Sequence, residues 1–252
     1  MSQVVLEAFR ERDLNRNMFQ NADIDPVLKA YWDQDEFVFM PDFLPENLLR
    51  PLADEAERLS LKLNRNYIPG HKKGGSVSCF TIAEEAPHLY SLYQSKEFLA
   101  FMSRLVKADL KRCPPNDPHA CALYYYTQEG DHMGFHYDTS YYKGARYTVL
   151  VGLVQNSSSR LLCRLFTKKE GHTPQDLSVS TEPGSLVIFN GDKVYHAVSP
   201  CKAGERRIVF TMEFVTDQHM GKAKRAFSNL KDAFAYFGLK SLWQSYRRRK
   251  SS

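Results

Sequence analysis

His136 and Asp138 stand two residues apart in the run Gly134-Phe135-His136-Tyr137-Asp138, and His196 comes much later in Tyr195-His196-Ala197-Val198. On a β-strand, residues two apart face the same way, so an imidazole and a carboxylate can meet one ion while Tyr137 turns aside. Two histidines and one carboxylate on one face of a metal leave the opposite positions open, which suits Fe(II) and O2 chemistry. The His-x-Asp spacing is a weak signal by itself. It gains weight from the order of the distal segments: the turn Pro183-Gly184, the apolar run Leu186 to Phe189, His196, and then Gly204-Glu205-Arg206-Arg207-Ile208-Val209-Phe210.

Arg206 shares strand parity with Ile208, Phe210 and Met212, so this pattern places its charge inward among apolar neighbours. A buried charge requires a partner, and the carboxylate of a bound keto acid would match a guanidinium with two parallel hydrogen bonds. Arg207 falls on the other face with Glu213, where an ordinary salt bridge accounts for it. Tyr124 and Tyr126, on one face of the preceding strand, are candidates to touch the same co-substrate, a core role being the alternative. His132 is a candidate outer partner of the metal site or substrate contact, with a plain loop histidine as the alternative. Its four-residue spacing to His136 does not make a zinc pair, because Gly130 and Gly134 argue against a helix and no HExxH glutamate is present.

The elements that must hold these residues are mostly short β-rich runs separated by turn residues, the pattern of a sandwich or barrel. Expected strands are 120–127, 135–138, 146–154, 160–167, 185–190, 194–198 and 206–215, with 36–40 before them and 76–82 as an edge strand. Helical periodicity is expected after Pro45, over 87–110, and over 225–243. The glycine-rich stretch from Ile68 to Gly75 is expected as a surface loop, with a lid over the site as the alternative. The fold class is thus mainly β with supporting helices, a double-stranded β-helix (jelly roll, cupin-like). One domain is expected over 1–252: helical support over about 1–115, a jelly-roll core over about 120–216 and a C-terminal helix over about 225–243.

Composition narrows the class. The net charge of +5 owes most of its excess to Arg247, Arg248, Arg249 and Lys250, and no basic stripe with interleaved aromatics marks a nucleic-acid groove. No apolar run reaches the length of a membrane span. Five cysteines, widely spread and without a CxxC pair, suggest neither a disulfide framework nor a zinc site. With no secretory pattern at the amino terminus, a cytoplasmic location is expected. The oligomeric state is not legible.

The stretches around His136, Asp138, Pro183-Gly184, His196 and Arg206 resemble the Fe(II)/2-oxoglutarate-dependent oxygenase superfamily, and the resemblance runs from Phe37 to about Val215. It implies His136, Asp138 and His196 as iron ligands, Arg206 as the anchor of the 2-oxoglutarate C5 carboxylate, and Fe(II), 2-oxoglutarate and O2 as cofactor and co-substrates. Within the superfamily, Gly130 to Tyr137 and Ala235-Tyr236-Phe237-Gly238 resemble the branch of free amino-acid halogenases and their lysine-hydroxylating relatives. Those halogenases carry a small residue in place of the metal-binding carboxylate, which makes room for chloride. Asp138 fills that place here, so the resemblance implies hydroxylation of an unactivated C–H bond, with a free basic amino acid such as lysine as the small-molecule substrate. The rivals are hydroxylation of a residue within a protein or peptide, as in prolyl hydroxylases, and behind it nucleobase demethylation. A non-catalytic cupin-like metal-binding module is the reading of a different class, and an inward arginine speaks against it.

Overall fold

The computed structural model describes Phe19 and residues 24–138 and 140–219. The expected helix over 225–243 and the Ala235 to Gly238 stretch lie outside the described residues.

Ten strands follow one another in one antiparallel sheet, in the order β1 (Phe37–Met40), β10 (Leu186–Asn190), β7 (Arg146–Asn156), β12 (Arg206–Val215), β5 (Cys121–Tyr126), β3 (Lys72–Ser78), β6 (His132–His136), β11 (Tyr195–Val198), β8 (Leu161–Leu165) and β9 (Gln175–Val179). Two more sit off this path: β2 (Asn64–Ile68) pairs with β3, and β4 (Lys111–Arg112) pairs with β12. The sheet curls around a central cavity to which β5, β6, β7, β8, β10, β11 and β12 all contribute side chains. This is the expected jelly-roll fold.

Period-two alternation gives each central strand two different faces. Val149, Val151, Ile188, Ile208, Phe210, Met212 and Phe214 enter one buried cluster with helix residues such as Tyr31, Leu52, Ala56 and Phe98. Their strand neighbours Leu150, Val187, Phe189 and Val209 enter a second cluster around the cavity with Met133, Leu161 and Val198. The first cluster lies between sheet and helices, and the second lines the barrel.

The helices are α1 (Asp25–Asp33), α2 (Glu46–Leu59), α3 (Cys79–Glu85), α4 (Pro87–Gln94) and α5 (Lys96–Val106). In α2 the buried residues Leu48, Leu49, Leu52, Ala56 and Leu59 form the stripe that sits on the sheet. Tyr125 of β5 ties the two layers by donating its hydroxyl to the Ala56 carbonyl at 2.7 Å. The single helix expected over 87–110 is broken: Ser95 has extended backbone and its hydroxyl accepts the Phe98 N–H at 3.0 Å, which starts α5 afresh. The glycine-rich stretch at 68–75 is not an open loop but a β-hairpin turning at Pro69-Gly70-His71, and β3 pairs with β2, β5 and β6. The expected edge strand over 76–82 ends at Ser78, after which Cys79 to Glu85 are helical. No described helix is long and apolar enough to cross a membrane.

Candidate metal centre

His136 ends β6 and His196 lies directly opposite it on β11, so the antiparallel register brings the two tilted rings together with centroids 4.3 Å apart. Asp138 follows β6 and is held by its own backbone, its N–H donating to the Gly191 carbonyl at 2.9 Å. Gly191 makes that approach possible, because a Cβ there would lie 2.7 Å from the Asp138 Cβ. Asp138 Oδ1 is 3.4 Å from His136 Nε2, and Oδ2 is 3.7 Å from His196 Nε2. One ligand atom from each of the three side chains lies within 4.8 Å of the others.

Each imidazole is set for ligation by its far nitrogen. His136 Nδ1 donates to the Gly134 carbonyl at 2.8 Å and His196 Nδ1 donates to the Val194 carbonyl at 3.1 Å, so both Nε2 lone pairs face the centre. Burial depresses His196 to about 4 against the pull of Asp138, which keeps its ring neutral at neutral pH. His136 moves the other way: burial opposes its charge, but hydrogen bonding and attraction from Asp138 raise its pKa. Burial also opposes ionisation of Asp138, yet the two histidines and Arg146 hold its carboxyl well below the usual range.

These residues face a cavity of about 220 Å³. On the wall contributed by β5 and β12, Arg207 is wholly buried and its Nε donates to Thr181 Oγ1 at 3.0 Å. Its guanidinium carbon sits 5.1 Å from the Tyr126 ring centroid, and both terminal nitrogens are buried without an acidic partner among the described residues. Elsewhere on the lining, Asp117, His119, Tyr141, Tyr142 and the Arg146–Glu213 ion pair make a polar wall.

Three expectations about residues at the site are corrected. Arg206 does not point inward: it is exposed and pairs with Glu57 on α2 at 2.6 Å. The alternation along β12 is as expected, but its apolar face is not the barrel interior. That face packs against the helices, whereas Arg207, Val209, Thr211 and Glu213 line the cavity. Nor does Arg207 pair with Glu213, whose partner is Arg146 at 2.8 Å. His132 shares parity with His136 but is not on the cavity lining, and its Nδ1 meets the Gly130 carbonyl at 2.8 Å. A register shift between the His196–His136 and Val198–Met133 pairs inserts an extra residue into β6, so Met133 lines the cavity in place of His132. Tyr124 and Tyr126 both line the cavity, and Tyr126 sits opposite Arg207 in the ladder.

Comparison with known proteins adds a family and a fold. Residues 20–145 match the family model described as halogenase D, a span that includes His136 and Asp138. No curated protein sequence matches the chain. Among solved structures, it is similar to the non-haem alpha-ketoglutarate-dependent epimerase SnoN from nogalamycin biosynthesis, with TM-score 0.64 and 14% identity over 81% of this chain and 86% of that one. A Pseudomonas putida prolyl-4-hydroxylase is similar at TM-score 0.58 and 18% identity, over 77% and 98% of the two chains. A Trichoplax adhaerens prolyl hydroxylase, solved with a hypoxia inducible factor peptide, is similar at TM-score 0.60 and 14% identity over 90% and 97%.

Proposed function

The chain belongs to the halogenase D family, and from that premise we propose that it is an Fe(II)- and 2-oxoglutarate-dependent dioxygenase hydroxylating an unactivated C–H bond of a free basic amino acid such as lysine. One observation carries the reading: a convergent His136, Asp138 and His196 set shares its cavity with a buried guanidinium that has no acidic partner among the described residues.

The donor set fits the metal. Two neutral-capable imidazoles and an ionised carboxylate gathered on one side are the ligands non-haem Fe(II) takes, with positions left for a chelating co-substrate and O2. When bound, iron and 2-oxoglutarate supply the oxidising power for C–H hydroxylation. Arg207 fits the far carboxylate of 2-oxoglutarate: its Nε is fixed by Thr181, its plane rests near Tyr126, and its two terminal nitrogens, with no acidic partner among the described residues, form the fork that carboxylates match. Met133, Leu150, Leu161, Phe189 and Val198 give the cavity an apolar lining that limits water. Asp117, His119, Tyr141 and Tyr142 offer charge and hydrogen bonds to a small polar substrate.

Asp138 decides between hydroxylation and halogenation within this reading, since its carboxylate holds the place that a halide would need. Asp138→Gly is therefore expected to abolish hydroxylation, and a variant hydroxylating at the normal rate would contradict the assignment. The substrate class is tested by incubating the protein with Fe(II), 2-oxoglutarate and each of the twenty amino acids while measuring succinate. Lysine-dependent succinate, absent with peptides or methylated DNA, is the expected result. Turnover of prolyl peptides alone would move the protein to the peptide-hydroxylase class. No succinate under any condition would favour a non-catalytic metal-binding module.

A further inference from the structure

Asp138 is gripped by the protein at more than its backbone. Thr148 Oγ1 donates to Asp138 Oδ2 at 2.7 Å, and Thr148 is itself buried. The same hydroxyl lies 3.0 Å from Glu213 Oε2, to which Arg146 Nε donates at 2.8 Å. The sheet builds this row directly: Glu213 of β12 is the ladder partner of Thr148 on β7, and Arg146 precedes Thr148 by two residues on the same face. A threonine hydroxyl carries one proton, and two carboxylate oxygens stand within reach of it. Arg146 satisfies the Glu213 oxygen, which leaves the Thr148 proton for Asp138. Gly191 meanwhile closes the space against the Asp138 Cβ.

We infer that Thr148, backed by the Arg146–Glu213 pair, is a positioning residue that keeps Asp138 Oδ2 engaged so that Oδ1 alone is free for the metal. The inference rests on the metal-centre reading. Its consequence is specific: a carboxylate free to swing would bind through both oxygens and take up a coordination place that the co-substrate or O2 requires. The hydrogen bond therefore guards an open position as well as orienting a ligand.

The test is an anaerobic calorimetric titration of Fe(II) into the wild type, Thr148→Val, Thr148→Ser and His136→Ala, with the Fe(II)–2-oxoglutarate charge-transfer absorption recorded on each. Thr148→Val keeps the shape and removes the hydroxyl. It is expected to weaken Fe(II) binding by about 10- to 100-fold, the usual cost of losing an outer partner of a metal ligand, and to shift the absorption band. Thr148→Ser is expected to restore most of the affinity and the band position. If Thr148→Val does not fold by circular dichroism, Thr148→Ala set against Thr148→Ser reads the same hydroxyl. Fe(II) affinity and absorption unchanged in Thr148→Val overturn the proposal, as does an equal loss in Val and Ser, which would point to packing. A wild type that binds no Fe(II), or binding indifferent to His136→Ala, sinks the metal reading itself and is thereby told apart.

Discussion

Two arginines face the same cavity, Arg146 half-buried and Arg207 wholly buried, and they are treated in opposite ways. Arg146 on β7 meets Glu213 within the protein, and although burial opposes its charge, Glu213 raises its pKa well above the ordinary value. Arg207 on β12 meets no carboxylate among the described residues, only neutral groups such as Thr181 and Tyr126, and burial lowers its pKa. A matched charge completes a structure, whereas an unmatched one is stable only with a ligand to meet it. On the proposed function, the difference separates the scaffold of the cavity from the end that would hold the co-substrate.

The comparison breaks most readily through stability. Arg146→Met strands Glu213 as a buried carboxylate without its partner, and a loss of about 3 to 5 kcal/mol in urea unfolding of the metal-free protein is expected. Arg207→Met strands no charge and costs only the neutral hydrogen bond to Thr181, which removal of the buried charge offsets, so the metal-free protein should be no less stable than wild type. Equal destabilisation by the two substitutions would erase the distinction. The cost of Arg207→Met should appear instead in 2-oxoglutarate affinity, with a loss of about 3 kcal/mol, on the order of a hundredfold, as when one partner of a desolvated charge pair is removed.

A smaller effect comes with pH. A metal competes with the proton on each ligating imidazole. His196, depressed to about 4, is already neutral, so the competition near neutrality falls on His136, whose pKa lies above its ordinary 6.5. Fe(II) affinity is expected to fall by about tenfold per pH unit below the His136 pKa and to level off above it, and calorimetry in buffers across that range reads the slope. A flat profile would show that His136 carries no proton to displace. Arg206→Ala should do least, within about 1 kcal/mol in unfolding, because its pair with Glu57 is solvent-exposed.

The strands and the His136, Asp138 and His196 set are plain in the chain, because alternation and turn residues are local signals. The inward arginine is not, because alternation defines two faces without saying which one meets the cavity. The apolar face of β12, with Ile208, Phe210 and Met212, serves the helix layer, and the interior face carries Arg207, Thr211 and Glu213. A usable clue is present: three polar groups at even spacing on a long strand mark a wall that faces a ligand. Pairing then supports it, since Tyr126, itself expected at the co-substrate, lies opposite Arg207. The bulge in β6 that exchanges His132 for Met133 depends on the partner strand β11 and leaves no local trace. Arg146, Thr148 and Glu213 likewise form one row only when β7 and β12 are in register.

The most direct test is an anaerobic titration of 2-oxoglutarate into the Fe(II)-loaded wild type, Arg207→Met and Arg206→Met proteins, followed by charge-transfer absorption. Binding is expected to saturate normally in the wild type and Arg206→Met and to be weakened by on the order of a hundredfold in Arg207→Met. Undiminished binding in Arg207→Met, or loss on changing Arg206 alone, would contradict it.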